Sequence, residues 1–336
     1  MNAKRAKRAR TLFLAGFAAF AFPFTAAAQY SMRRSPDLVQ LEDAAHRTMV
    51  AIAPSAGNLT REITVNGVNV LGPLGIPFLG PWANRLDEQA FFANGKRYTL
   101  NMELGNVRGA HPIHGFLSAA VWEVVEAKAD QESAWVTSRL EFFRQPDWMA
   151  QFPFAHTIDM THRLRDGVLD ITIELHNLSA APMPVAIGFH PYFRLTDSPR
   201  DAWTIALGAR TEWLLAEDKI PTGETRTIER RFPDPRAAAL RDHDLDHVFG
   251  DLIRDASGRA AMSVAGTSQK IEMLFGPSYR AAVVYAPKGR DFICFEPMAG
   301  ITDALNLAHR GLYKDLQYVP PGGTWRESFW VHPSGF

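Results

Sequence analysis

Cysteine is almost absent. Cys294 is the sole one in 336 residues, so the chain can form no disulfide with itself, whatever its redox compartment. Stability has to come from a buried core, and a chain of this length can build a large one. An excess of one charge is lacking as well: Lys plus Arg and Asp plus Glu both number 36. That balance leaves no electrostatic footprint for nucleic acid or for an anionic membrane. A membrane-crossing helix needs about 20 apolar residues, and the apolar stretch Thr11 to Phe24 is shorter and carries Pro23. Phosphate-loop chemistry is not indicated, because Gly72, Gly75 and Gly80 have neither the spacing nor a following helical pattern. A serine-centred nucleophile elbow is missing too.

What is present begins with a leader. Lys4, Arg5, Lys7, Arg8 and Arg10 precede the apolar stretch with no acidic residue among them, and Ala26-Ala27-Ala28 stands before Gln29. A basic segment, a short apolar segment and small residues are the order of a secretory signal peptide, so residues 1–28 are expected to be removed. With five basic residues gone, 31 of the 36 remain against 36 acidic ones, a formal charge of −5. The mature chain is expected in the periplasm or outside the cell.

From Leu38 onward the pattern is short runs of alternating apolar and polar residues broken by turn dipeptides. Asn66-Gly67, Asn94-Gly95 and Asp166-Gly167 each separate two such runs. These dipeptides accept the positive φ that a two-residue type I′ hairpin requires. The best helical signal is Asp234 to Arg241, where Asp234 suits an N-cap and Pro235 the first helical position. Tyr30 to Asp37 is polar and reads as a frayed lead-in. Neither a repeat nor a linker divides the chain, and blade-length periodicity is missing, which argues against a propeller. The expected fold is all-β, one large antiparallel β-sandwich over residues 29–336.

Two stretches place an ionisable group beside a proline at the end of an apolar run: Val185 to Phe193 with His190-Pro191, and Asp291 to Pro297 with Glu296-Pro297. A carboxylate there is costly to bury without a partner. Sharing a pocket, each group would favour charge on the other, raising the histidine pKa and lowering that of the glutamate. Such a pair serves either as general acid and base or as a structural ion pair, and the pattern alone does not separate the two. His111 and His114 lie in a loop rich in glycine and proline, Gly105 to Phe116, with no third or fourth ligand evident, so no metal site is expected. The loop Gly72 to Arg85 ends in Trp82, Asn84 and Arg85, and Asp246 precedes an apolar pair. Loops on a rigid sheet scaffold commonly carry function.

Taken in order, these segments resemble the aldose 1-epimerase (galactose mutarotase) family across essentially the whole mature chain. The resemblance rests on Ala53 to Gly57, Pro81 to Leu86, Ile113 to Phe116, Asn177 to Phe193, Asp246 to Phe249 and Phe295 to Pro297. It implies a galactose mutarotase-like supersandwich that interconverts the α and β anomers of free aldohexoses with no cofactor. Carried over by residue, it implies Glu296 as the base at the anomeric hydroxyl and His190 as the acid at the ring oxygen. His114, Arg85, Asp246, Asn84 and Trp82 would bind the sugar, with Trp82 and Phe116 either stacking on its apolar face or serving as ordinary core residues. Phe116 departs from the pattern, since many members have a second glycine there, and Leu86 replaces a commoner isoleucine.

A hexose 6-phosphate epimerase and a non-catalytic sugar-binding protein of the periplasm are the other readings. The first has only Arg108 beside Arg85 to recommend it, and export argues against a phosphorylated substrate. The partner is a small sugar in each case, and a monomer and a homodimer are both compatible with the chain. The leader makes one prediction. Intact-mass analysis of the exported protein should give a chain beginning at Gln29, and a mass that retains residues 1–28 would contradict it.

Overall fold

The computed structural model describes residues 28–336. The leader expected over residues 1–28 therefore lies, apart from Ala28, outside the described residues. The three turn dipeptides fold as their chemistry dictates. Val65 pairs with Val68, Ala93 with Lys96 and Arg165 with Val168, and all six turn residues have φ between 50° and 81°. A two-residue turn of that hand follows the natural twist of the strands it joins.

Two large antiparallel sheets form the body. One has nine strands, in spatial order Glu123–Ala129, Ala134–Glu141, His156–Arg165, Val168–Asn177, Thr324–Ser334, Lys270–Phe275, Ala260–Ala265, Thr204–Leu207 and Ala238–Ala239. The other has eight. Pro221–Thr227, Ala209–Leu215, Leu245–Leu252, Ala281–Ala286, Ile293–Met298, Gly188–Phe189 and Phe78–Leu79 follow in order, and Tyr192–Phe193 also pairs with Ile293–Met298. A five-stranded sheet runs in chain order from Tyr30–Arg34 to Val68–Asn69.

The strands alternate buried and less buried residues, as in His156–Arg165, so each sheet presents an apolar face. Phe189, Phe193, Ile293 and Phe295 of the eight-stranded sheet share one core with Ile171, Phe275 and Phe329 of the nine-stranded sheet. The rings of Phe189 and Phe329 lie 4.8 Å apart. Leu41, Val50 and Ile52 of the five-stranded sheet join the same core. This is the sandwich expected from the alternation.

The outward face of the eight-stranded sheet is covered as well. Leu79, Val248, Ala281, Val283 and Met298 pack there with Ala304 and Leu307 of the helix Ala304–His309 and with Tyr313. Burial on both faces explains why every residue of Ile293–Met298 is buried.

Two expectations fail. Tyr30 to Asp37 is not frayed: Tyr30–Arg34 pairs with Val39–Asp43, and buried Tyr30 accepts a hydrogen bond at its hydroxyl from the Asp166 N–H at 3.1 Å. Asp234 to Arg241 is not a helix. Asp234 caps a turn through Arg236 N–H, and Ala238–Ala239 bonds to Thr204–Leu207 at the sheet edge. Pairing with a neighbouring strand outweighs a weak local helical preference. The two α-helices among the described residues are Pro146–Gln151 and Ala304–His309.

Two buried histidines make the fold sensitive to acid. Burial pushes His156 down to about 4, its Nδ1 bonded to the Phe154 carbonyl at 2.7 Å, and pushes His162 down to about 3. Both values lie below the unfolded value near 6.5, so the unfolded chain binds more protons in between. Their stabilisation is complete above about pH 6.5 and is lost as pH falls toward the folded values. At pH 5 each costs on the order of 2 kcal/mol. Urea unfolding should show a marked drop in midpoint from pH 7.5 to 5, and His162→Leu should reduce that drop. A variant with an undiminished drop would contradict the assignment.

Candidate active site

Strand register brings the two proline-flanked residues together. Gly188 pairs with Met298, and Tyr192 pairs with Cys294. Counting two residues inward from either pair sets His190 opposite Glu296. Their side chains meet, His190 Nε2 to Glu296 Oε1, at 3.2 Å. Neither stands quite where the prolines suggested. His190 falls in a gap between the short strands Gly188–Phe189 and Tyr192–Phe193, where its N–H donates to the Pro77 carbonyl at 3.0 Å. Glu296 lies inside its strand, which runs on through Pro297 to Met298. A proline is tolerated there because the strand on that side pairs only at Gly188 with Met298, so no ladder bond is required of position 297 opposite Phe189.

The same register fills the next row. Asp246 pairs with Tyr285, Tyr285 with Cys294, and Cys294 with Tyr192. Asp246 and the two tyrosines thus lie on the outward face beside the pair. His190 is covered by the Tyr192 ring, stacked at 4.5 Å and 7°, and by Tyr285 edge-on at 5.8 Å.

The two loops supply the other wall. Asn84 and His114 both have left-handed backbones, φ 59° and 62°, and they lock onto each other. The His114 N–H donates to the Asn84 carbonyl at 2.9 Å, while the Asn84 N–H donates to His114 Nδ1 at 3.1 Å. With Nδ1 accepting, neutral His114 carries its proton on Nε2. Gly115 must be glycine, since a Cβ there would lie 2.0 Å from the Gly80 oxygen. Asn84 Oδ1 accepts from the Arg85 N–H and Nη1 at 2.8 and 3.1 Å, and Arg85 Nη2 lies 3.9 Å from Asp246 Oδ2.

The result is a polar cavity of about 280 Å³ lined by Asn84, Arg85, His114, His190, Asp246 and Glu296. Six of the seven residues expected at a site thus converge. The exception is Trp82, which the structure corrects. It is 3% exposed in the core and packs edge-on against Phe116 at 5.7 Å, so this pair presents no stacking face to a ligand. The aromatic walls are Tyr192 and Tyr285, and Val107 and Arg108 also line the cavity. Tyr192 lay in view two residues after His190, but the alternation that turns both to one face was hidden by Pro191. His111 stands apart, its Nδ1 3.1 Å from the Leu86 carbonyl and its Nε2 3.4 Å from Asp218. A larger cleft of about 1040 Å³ between Arg210 and Arg259 contains none of these residues.

Burial reverses the expected charge state. His190 is pushed down to about 3, first by desolvation and then by His114 nearby. Desolvation pushes Glu296 well above the usual carboxylate range; Asp246 adds to this and the Arg85 guanidinium opposes it. Mutual attraction does not outweigh the cost of burying two charges. Both shifts therefore run toward the neutral forms, imidazole and carboxylic acid. His114 is likewise held down at about 4 by burial and by Arg85 and Arg108. Glu296 Oε2 and His190 Nδ1 are buried with no hydrogen-bond partner among the described residues. A fold retains such atoms at a cost.

The aldose 1-epimerase family model matches residues 38–332. The protein YphB of Escherichia coli (strain K12) is 24% identical over 253 residues, 73% of this chain and 78% of YphB. Among solved structures, a galactose mutarotase-like protein from Clostridium acetobutylicum superposes with a TM-score of 0.80 at 19% identity, covering 91% of this chain and 98% of that one. The galactose 1-epimerase from Lactobacillus acidophilus NCFM gives 0.71 at 16% identity, again over 91% and 98%. These likenesses show the fold.

A buried carboxyl that prefers to be neutral can be replaced by its amide at little cost to the fold. Glu296→Gln should melt at or above the wild-type temperature, as expected where a site is built against stability. A melting temperature lower by more than about 4 °C would mean that the pair holds the fold together.

Proposed function

As the chain belongs to the aldose 1-epimerase family, we propose that it interconverts the α and β anomers of free aldohexoses by ring opening and closure. The observation that carries this reading is the contact of His190 Nε2 with Glu296 Oε1 at 3.2 Å, at a polar cavity, with Glu296 Oε2 unbonded. Ring opening takes the proton from O1 as another reaches O5, breaking the C1–O5 bond. After rotation about C1–C2, closure runs both transfers backward. Opening begins once the Glu296 proton has moved to His190; Glu296 then takes the O1 proton while His190 delivers its own to O5, so the pair passes from imidazolium and carboxylate back to imidazole and carboxylic acid. The second form is the one burial favours, and it stands ready to return a proton to O1 as the ring closes.

Arg85, Asp246, Asn84 and His114 bind the hydroxyls, and His114 serves as an Nε2–H donor. Holding the ring against the pair supplies orientation, and each positioned proton transfer contributes about 10²–10⁴-fold. The leader assigns the work to the periplasm in this reading. Arg108 at the cavity is what favours a hexose 6-phosphate instead, but Arg85 is already engaged with Asp246, which leaves a dianion one free cation among the described residues lining the cavity.

Polarimetry of freshly dissolved α-D-glucose and α-D-galactose tests the proposal. The mature protein should speed the approach to anomeric equilibrium, and Glu296→Gln should reduce kcat/KM by about 10²–10⁴-fold. No acceleration of either sugar, or an unimpaired variant, would overturn it. Acceleration of glucose 6-phosphate alone would move the substrate class to the phosphorylated sugars.

A further inference from the structure

Seven residues past Glu296, the chain turns back and grips the segment that carries Arg85. Asp303 is 1% exposed and left-handed at φ 58°, a backbone that only a few non-glycine residues adopt. Its N–H donates to the Arg85 carbonyl at 3.0 Å. Its Oδ1 accepts from the Asp87 N–H at 3.0 Å and from Asn306 Nδ2 at 2.8 Å. Its Oδ2 accepts from Arg310 Nη2 at 2.6 Å. Asn306 extends the hold, donating to the Asp87 and Ala90 carbonyls and accepting from the Phe92 N–H. The two side chains thus fix the backbone on both sides of the turn that follows Arg85.

None of these atoms reaches the cavity, whose lining includes neither Asp303 nor Asn306. A left-handed, buried carboxylate is an expensive way to close a helix whose cap needs no side-chain bond. What its bonds accomplish is the placement of one ligand-facing arginine. We propose that Asp303 is a positioning residue for the sugar site, acting through Arg85. The inference rests on the proposed function. It adds that the helix after the glutamate strand belongs to the site through its backbone clamp. The charged groups facing Asp303 are Asp87 and Arg310, and burial raises its carboxyl to about 7 with Arg310 opposing.

A double-mutant cycle tests it, with wild type, Asp303→Ala, Arg85→Ala and the double variant assayed for anomerisation. A shift in Arg85 of about 1 Å is enough to cost tenfold or more, so Asp303→Ala should lower kcat/KM at least tenfold. In the Arg85→Ala background the same change should cost less than about twofold, because its target is gone. Equal losses in both backgrounds, or no loss in the first, would overturn the inference. If Asp303→Ala does not fold, Asp303→Gly in the same cycle decides, since glycine accepts the left-handed backbone and also removes the carboxylate. Its loss should again vanish without Arg85, and a loss that persists or is absent overturns the inference. An inactive wild type would sink the proposed function and this inference with it; an active wild type with an unaffected Asp303→Ala sinks the inference alone.

Discussion

A carboxyl and an imidazole buried 3.2 Å apart are the constraint on which the site depends. Two such groups do not stay in a sheet face covered on both sides unless something fixes them, because water would solvate each better. Here the fixing is geometric. Antiparallel register sets position 190 opposite position 296, a break between two short strands frees the histidine, and tyrosine rings close over it. Burial then pushes both members toward their neutral forms. Neither group is locked as an ion, which leaves each able to exchange a proton with a bound ligand.

The rest of the outward face is organised to leave room. Where the helix Ala304–His309 and Tyr313 cover the sheet, the packing is apolar; beside it two loops stand off and admit a polar cavity. Asn84, His114 and Asp303 all hold left-handed backbones, each of order 1–3 kcal/mol in cost. Asn84 and His114 bond to each other, Asn84 also accepts from Arg85, and the Asp303 N–H reaches the Arg85 carbonyl. Two left-handed residues in the cavity wall, Asn84 and His114, together with unpartnered atoms on both His190 and Glu296, are what a fold shaped for ligand binding retains.

Much of this was legible in the residues. The three hairpin dipeptides specify their own turns, and period-two alternation specifies the sandwich, because both depend on neighbours in sequence. His190 and Glu296 stood out as ionisable residues among apolar ones, and the resemblance ordered the loops around them. What sequence did not show depends on distant partners. Alternation across Pro191 hid the inward turn of Tyr192, and Trp82 looked like a sugar platform until the core closed on it. Attraction within the pair is visible from residue types, whereas the depth of burial that pushes both groups toward neutrality is not. Asp303 passed unnoticed because its bonds reach back more than 200 residues to Arg85 and Asp87.

The central claim is that the pair addresses the two oxygens on either side of an anomeric carbon. A crystal structure of Glu296→Gln soaked with galactose or glucose addresses it directly. The account predicts a sugar in the cavity with O1 within hydrogen-bond reach of residue 296, O5 within reach of His190 Nε2, and hydroxyls on Arg85 and Asp246. A sugar bound there with its anomeric carbon turned away from the pair, or bound elsewhere with the cavity empty, would contradict it.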